Sequence, residues 1–177
     1  DERAAIRDAN LIGNIDYVFF RRFNDGRSSQ VVAYVIDNSN DKLLETNIAD
    51  IHSRVWVQGI APLLYVGWQS KVDVLSCARE ADFASSDSDI PQYAPFHEIA
   101  TAGTIADELN DFSAFRLADG TFWEDNKNKD IANYDKAAHR WLIQEIFNAD
   151  KELKGAKNPI KRRLLVLIVL IKYLEHR

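Results

Sequence analysis

The spacing of apolar and polar positions changes period several times along this chain, and each change marks an element. Residues 2–12 mix charged and apolar positions as a short helix does. Residues 15–23 and 30–36 are rich in Val, Tyr and Phe and predict two strands. Asn24-Asp25-Gly26 between them is hairpin chemistry, because glycine takes the positive φ such turns demand. Residues 37–41 are a polar loop. Leu44, Ile48, Ile51 and Val55 then recur at steps of four, three and four, which predicts one helical stripe ended by Gly59. Residues 61–68 and 71–77 predict two further strands. The first is an apolar run, as in a strand covered on both faces.

Beyond residue 78 the pattern is less regular. Residues 79–95 form a loop rich in Ser, Asp and Pro. Residues 99–112 predict a helix. Short strands at 115–117 and 121–123 flank Ala118-Asp119-Gly120, a second hairpin signal, and 126–130 is polar loop. Residues 134–153 predict a helix with Ala137, Trp141, Ile143, Ile146 and Phe147 inward, and 154–157 a linker. Asn158 caps a last helix with Pro159 in its first turn. That helix is apolar nearly all round from 164 to 174, so it must be buried on most sides. A downstream domain or another copy of the chain is expected to cover it.

The order of elements predicts an α/β (α+β) fold, a mixed sheet with flanking helices. Three parts are expected: an N-terminal α/β domain over 1–95, a hairpin and helices packing on it over 96–157, and the start of a helical domain over 158–177.

Composition narrows the function. The chain has 177 residues, 46% hydrophobic, enough for one domain with a real core. Its net charge is −5, so contact with nucleic acid requires a local basic patch. The single cysteine, Cys77, excludes a disulfide framework and a cysteine zinc site, and fits a cytoplasmic setting. The charged start predicts no secretory leader. The run 164–171 is too short to span a bilayer, so no membrane partner is expected. Methionine is absent, and the residues stop inside a strong helix pattern. Both features predict a piece of a longer protein.

The basic patch that stands out is the first hairpin, YVFFRRFNDGRSSQ. Arg21, Arg22, Arg27 and Gln30 have the reach to contact phosphates or base edges, and Lys71 beside Gln69 sits in another turn that can add to them. The competing reading is a solvated hairpin whose arginines pair with the chain's many carboxylates.

Catalytic patterns are weaker. The helix–strand–strand–helix–strand order resembles the restriction-endonuclease core, in which two carboxylates hold Mg²⁺ and a lysine assists water. Asp16 supplies a first carboxylate, but the strand QVVAYVID lacks the acid and the lysine. Asp125-Asn126-Lys127 and Glu152-Leu153-Lys154 fit the spacing only in a loop and at a helix end. No G-x-G loop and no Asn-Pro-Pro-aromatic motif is present for methyl transfer; Asn158-Pro159 reads as a helix cap. His52 beside the apolar stripe and Cys77 on a strand read as structural. No residue is assigned as catalytic or metal-binding, and no cofactor is expected here.

Four strings taken together carry a resemblance: VFFRRFNDGRSSQVVAYVIDN, HSRVWVQGIAPLLYVGWQSKVDVLSCAR, FRLADGTFWEDN and NPIKRRLLVLIVLIKYLEHR. They look like the region preceding the catalytic domain in large bacterial adenine-N6 DNA methyltransferases of restriction-modification type, whether type I modification subunits or type IIG-like enzymes. Trp56, Gly59 and Pro62 match a W-x-x-G-x-x-P piece of that region, and Lys172-Tyr173-Leu174-Glu175 matches the end of an apolar run in its helical domain. The resemblance implies a parent enzyme using S-adenosylmethionine and acting on DNA. It implies an accessory, DNA-engaging or domain-organising role for these residues, and a downstream methyltransferase domain or partner subunit against the 160–177 helix. The alternatives are a Mg²⁺-dependent nuclease domain, or a protein-interaction module that does not bind DNA.

Overall fold

The computed structural model describes residues 2–78, 91–100 and 111–128, together with Asn148 and Leu167. The chain separates into two compact units, Asp1–Ala138 and His139–Arg177. In the second, Asn148 and Leu167 are helical. The predicted helices over 134–153 and 158–177 otherwise lie outside the described residues.

The first unit has α+β architecture. Helix α1 (Glu2–Ile12) precedes strands β1 (Tyr17–Arg21) and β2 (Gln30–Asp37). Helix α2 (Glu45–Gln58) leads to β3 (Leu63–Gly67), β4 (Lys71–Ser76) and β5 (His97–Ala100). Two short helices follow, α3 (Ala114–Asp119) and α4 (Thr121–Glu124). The strands form one open mixed sheet in the order β1-β2-β3-β4-β5. Only β2 and β3 are parallel, joined by the α2 crossover; the other neighbours are antiparallel.

Strand alternation sorts the apolar residues into two cores, one on each face. Tyr34, Ile36, Leu64, Val66 and Leu75 face α1 and α2, and pack with Ala5, Ala9, Ile48, Ile51 and Val55. Val32, Ala33, Leu63, Val74 and Ile99 face the other way, onto Leu117 and Phe122 of α3 and α4. Each large aliphatic side chain fully buried here contributes about 1.5–3 kcal/mol relative to exposure. Burial on both faces explains the unbroken apolar runs of β2 and β3.

The register of β1 on β2 slips between Phe19 and Phe20, which oppose Ala33 and Val31. Val32 is therefore the extra residue of a β-bulge, and Val32 and Ala33 both join the second core.

The predicted α2 stripe holds at Ile48, Ile51 and Val55, all within 3% of full burial. Leu44 departs from it and is 69% exposed. It is the N-cap, with extended backbone, and its N–H donates to Asn47 Oδ1 at 3.0 Å. Gly59 ends the helix in the left-handed region, φ 68°, its N–H reaching Val55 O at 3.0 Å. Trp56 is buried, and the Pro62 carbonyl accepts the Cys77 N–H. The W-x-x-G-x-x-P piece thus closes a helix and starts a strand.

Three expectations are corrected. The first two residues of the helix expected over 99–112 belong to β5, where Ile99 opposes Val72; 101–110 lie outside the described residues, and Asp111 is helical. The second hairpin is absent: 114–119 and 121–124 are helices. Gly120, φ 96°, serves as the C-cap of α3 instead of a hairpin turn. Strand β1 runs from Tyr17 to Arg21, two residues shorter than expected at each end.

Candidate nucleic-acid interface

The arginine hairpin is built by strand alternation. Phe19 faces α3 and α4, Phe20 faces α1, and the alternation continues through the next two residues. Arg21 therefore turns to the α3–α4 side, where Nη2 donates to the Asp119 carbonyl at 2.7 Å. Arg22 turns to the α1 side, where Nε and Nη2 donate to the two oxygens of Glu2 at 2.9 and 3.1 Å. Adjacent in sequence, the two arginines serve opposite layers.

Arg27 closes the hairpin. Its Nε lies 2.8 Å from Asp25 Oδ2, and Asp25 Oδ1 accepts the Arg27 N–H at 3.2 Å. Gly26 supplies φ 83° between them. The guanidinium carbons of Arg27 and Arg21 lie 4.0 and 4.9 Å from the centroid of Phe23, so two cations converge on one aromatic ring. The side chains of Arg22 and Arg27 are 75% and 66% exposed. Gln30 is exposed at the start of β2, opposite Arg21.

The paired carboxyls titrate low. The hydrogen bonds from Arg22 and then Ser29 hold Glu2 below the ordinary carboxylate range. The Arg27 side chain does the same for Asp25, and Thr121, bonded through backbone and hydroxyl, for Asp119.

Lys71 stands apart from this group. Asp37 opposes Gly67, and Gly67 opposes Val72, so Lys71 is at the end of the sheet away from Arg21 and Gln30. It is also three strands over, which puts it roughly 25–30 Å from the hairpin. Its Nζ contacts Glu98 at 2.8 Å and Asp73 at 3.1 Å. Burial opposes its charge, but the hydrogen bonds to Glu98 and Asp73 prevail and its pKa is raised.

Asp73 is the residue that the sequence reading passed over. Its side chain is fully buried in β4, on the face that Leu75 shares with α2. Oδ2 accepts from Trp68 Nε1 at 2.7 Å, from the Tyr93 hydroxyl and from Lys71. Trp68 meets Tyr93 edge to face, with centroids 6.1 Å apart. Burial, and then the bond to Asp73, raise the Tyr93 pKa. The available signal was an acid in the inward register of KVDVLS.

The other candidates have structural partners. Asp16 Oδ2 accepts the Asp37 N–H at 2.7 Å, tying β1 to the end of β2. Asp125 Oδ1 accepts the Lys127 N–H at 3.0 Å and closes a turn. Residues 152–154 lie outside the described residues. His52 is buried, with Nε2 2.8 Å from the Ser76 carbonyl. Cys77 is buried, and burial pushes its thiol well up, away from the reactive thiolate. Among the described residues no group of three His, Cys, Asp or Glu is placed to hold a metal ion, and no helix is long and apolar enough to cross a membrane.

Fold and site together define an α+β unit with an open mixed sheet and a cationic hairpin at one end. The chain matches no protein-family model, no curated protein and no solved structure.

Proposed function

We propose that this chain is an accessory part of an S-adenosylmethionine-dependent DNA adenine-N6 methyltransferase of restriction-modification type. In this reading its own residues engage DNA or organise domains, and methyl transfer belongs to a further domain. The observation that carries the DNA contact is the placing of Arg21, Arg22 and Arg27 in one hairpin, with Arg21 and Arg27 over Phe23 and with Arg22 and Arg27 paired to carboxylates at the exposed surface. Such pairs are worth little in water and exchange readily for a phosphate. The succession α1–β1–β2–α2–β3 supports a restriction-endonuclease-like core, in which Asp16 has a backbone amide as its partner. Cytoplasmic location and a methyltransferase domain against the 160–177 helix belong to the same reading, on the strength of the sequence resemblance.

The test is a gel shift on duplex DNA at low salt, with wild type against Arg22→Ala/Arg27→Ala. Arg21 is left intact because it also holds α3. Loss of the shift, with a shallower salt dependence, is the expected result. Equal retardation of both proteins, or of neither, removes the hairpin from the DNA-binding account.

A further inference from the structure

Three donors converge on one carboxylate at the α1–hairpin junction. Arg22 Nε and Ser29 Oγ both reach Glu2 Oε1, at 2.9 and 2.8 Å, while Arg22 Nη2 reaches Oε2 at 3.1 Å. A guanidinium fork backed by a hydroxyl is the donor set that grips a tetrahedral oxyanion, because two parallel N–H groups span two of its oxygens and the O–H reinforces one. Ser29 is partly buried and held in the last position before β2, so one donor is fixed by the sheet. Arg22 keeps most of its surface in water. Glu2 sits in the first turn of α1, where a negative charge also suits the helix dipole. The carboxylate is thus well placed on its own helix, and two of its three donors belong to an exposed guanidinium.

We infer that Arg22 and Ser29 form a phosphate-binding site whose resident occupant is Glu2, so that the first turn of α1 competes with the incoming anion. The inference rests on the DNA-engaging reading for the source of the phosphate, a nucleic-acid backbone. The site itself stands on the geometry, since free phosphate has the same chemistry. The competing carboxylate makes the wild-type hairpin a weak and salt-sensitive binder, and its removal exposes the fork.

The experiment titrates the full chain with inorganic phosphate, followed by the amide and guanidinium NMR signals of Ser29 and Arg22, and separately with duplex DNA at low salt. Four proteins are compared: wild type, Glu2→Gln, Glu2→Gln/Arg22→Ala, and Glu45→Gln. The last removes one exposed charge from the first turn of α2 and controls for net charge and helix-end effects. Glu2→Gln is expected to bind phosphate several-fold more tightly than wild type. Its log–log salt slope on DNA should steepen by about one phosphate contact. Adding Arg22→Ala should abolish both gains, and Glu45→Gln should show neither. A gain with phosphate but none with DNA keeps the site and sinks the DNA reading. No phosphate gain for Glu2→Gln beyond that of Glu45→Gln overturns the site, as does a gain that survives Arg22→Ala. If Glu2→Gln frays α1, the same comparison with Glu2→Asp, whose shorter side chain retreats from the fork, provides the readout; equality with wild type there also overturns it.

Discussion

The guanidinium of Arg21 lies against Gly120, so close that a Cβ at position 120 would stand 2.6 Å from its Cζ. One hydrogen bond to Asp119 O and one missing side chain thus join the edge strand to the α3–α4 corner.

Gly120→Ala is expected to destabilise the fold chiefly through its left-handed φ of 96°, and to a smaller extent by displacing the Arg21 guanidinium from the Asp119 carbonyl. The φ cost alone is about 1–3 kcal/mol. Combining it with Arg21→Ala should cost less than the sum of the two, with a coupling of about 0.5–3 kcal/mol in a urea double-mutant cycle. Simple additivity would show that the contact carries no energy.

Asp73→Ala removes the acceptor shared by Trp68, Tyr93 and Lys71. A loss of about 1–3 kcal/mol is expected, because the part-buried donors of Trp68 and Tyr93 lose their acceptor while Lys71 keeps Glu98. Trp68→Phe removes one donor and should cost about 1–2 kcal/mol. Urea midpoints followed by circular dichroism check both, and a nearly neutral Asp73→Ala would refute the importance of the network.

Acid should lower the stability modestly, because the carboxyls concerned are exposed. Glu2, Asp25, Asp37 and Asp119 all have folded pKa values below their ordinary 4.5 or 3.8, Asp37 chiefly through Ser39. A depressed carboxyl contributes stability that is complete above its unfolded pKa and lost as pH falls through its folded one. The urea midpoint should therefore stay level from neutral pH down to about 5 and fall below about 4.5. A midpoint already falling near pH 6 would point to other groups.

Alkali acts through the phenols of Tyr65, Tyr93 and, earliest, Tyr34, all raised by burial. Burial pushes the Tyr34 hydroxyl, which donates to Gln58 Oε1 at 3.0 Å, up to about 12 from 10.0. A raised pKa gives stability present below the unfolded value and lost as pH climbs towards the folded one. Stability should thus decline between about pH 10 and 12. Tyr34→Phe, compared by phenolate absorbance, should lack one late-ionising phenol. If the mutant loses an early-ionising one instead, the hydroxyl is not shielded.

The elements legible in the sequence were those whose signal is local. The stripe of α2, the apolar runs of β2 and β3, and Gly59 as a stop all depend on neighbours along the chain. The α3–α4 corner was not legible, because hairpin turns and helix C-caps ask for the same positive φ at Gly120. Strand β5 has four residues and owes its state to pairing with β4, a partner more than twenty positions away. The arginine group was half legible. The sequence put Arg21, Arg22 and Arg27 in one hairpin. Which helix waits on each face, and which carboxylate meets each arginine, is fixed by tertiary packing. Lys71 fell outside the group because the sheet register sets its distance.

The lone parallel seam between β2 and β3 also governs how the chain finds this structure. The two flanking hairpins close over short loops and can form within microseconds. Ala33 and Leu63, the first pair of the seam, are thirty positions apart, with all of α2 between them. That contact carries the largest loop-closure entropy among the strand pairs around it, and it unites two halves that are each too small to stand alone. Refolding speed is expected to be set there, so Leu63→Ala should slow the folding limb of a urea chevron.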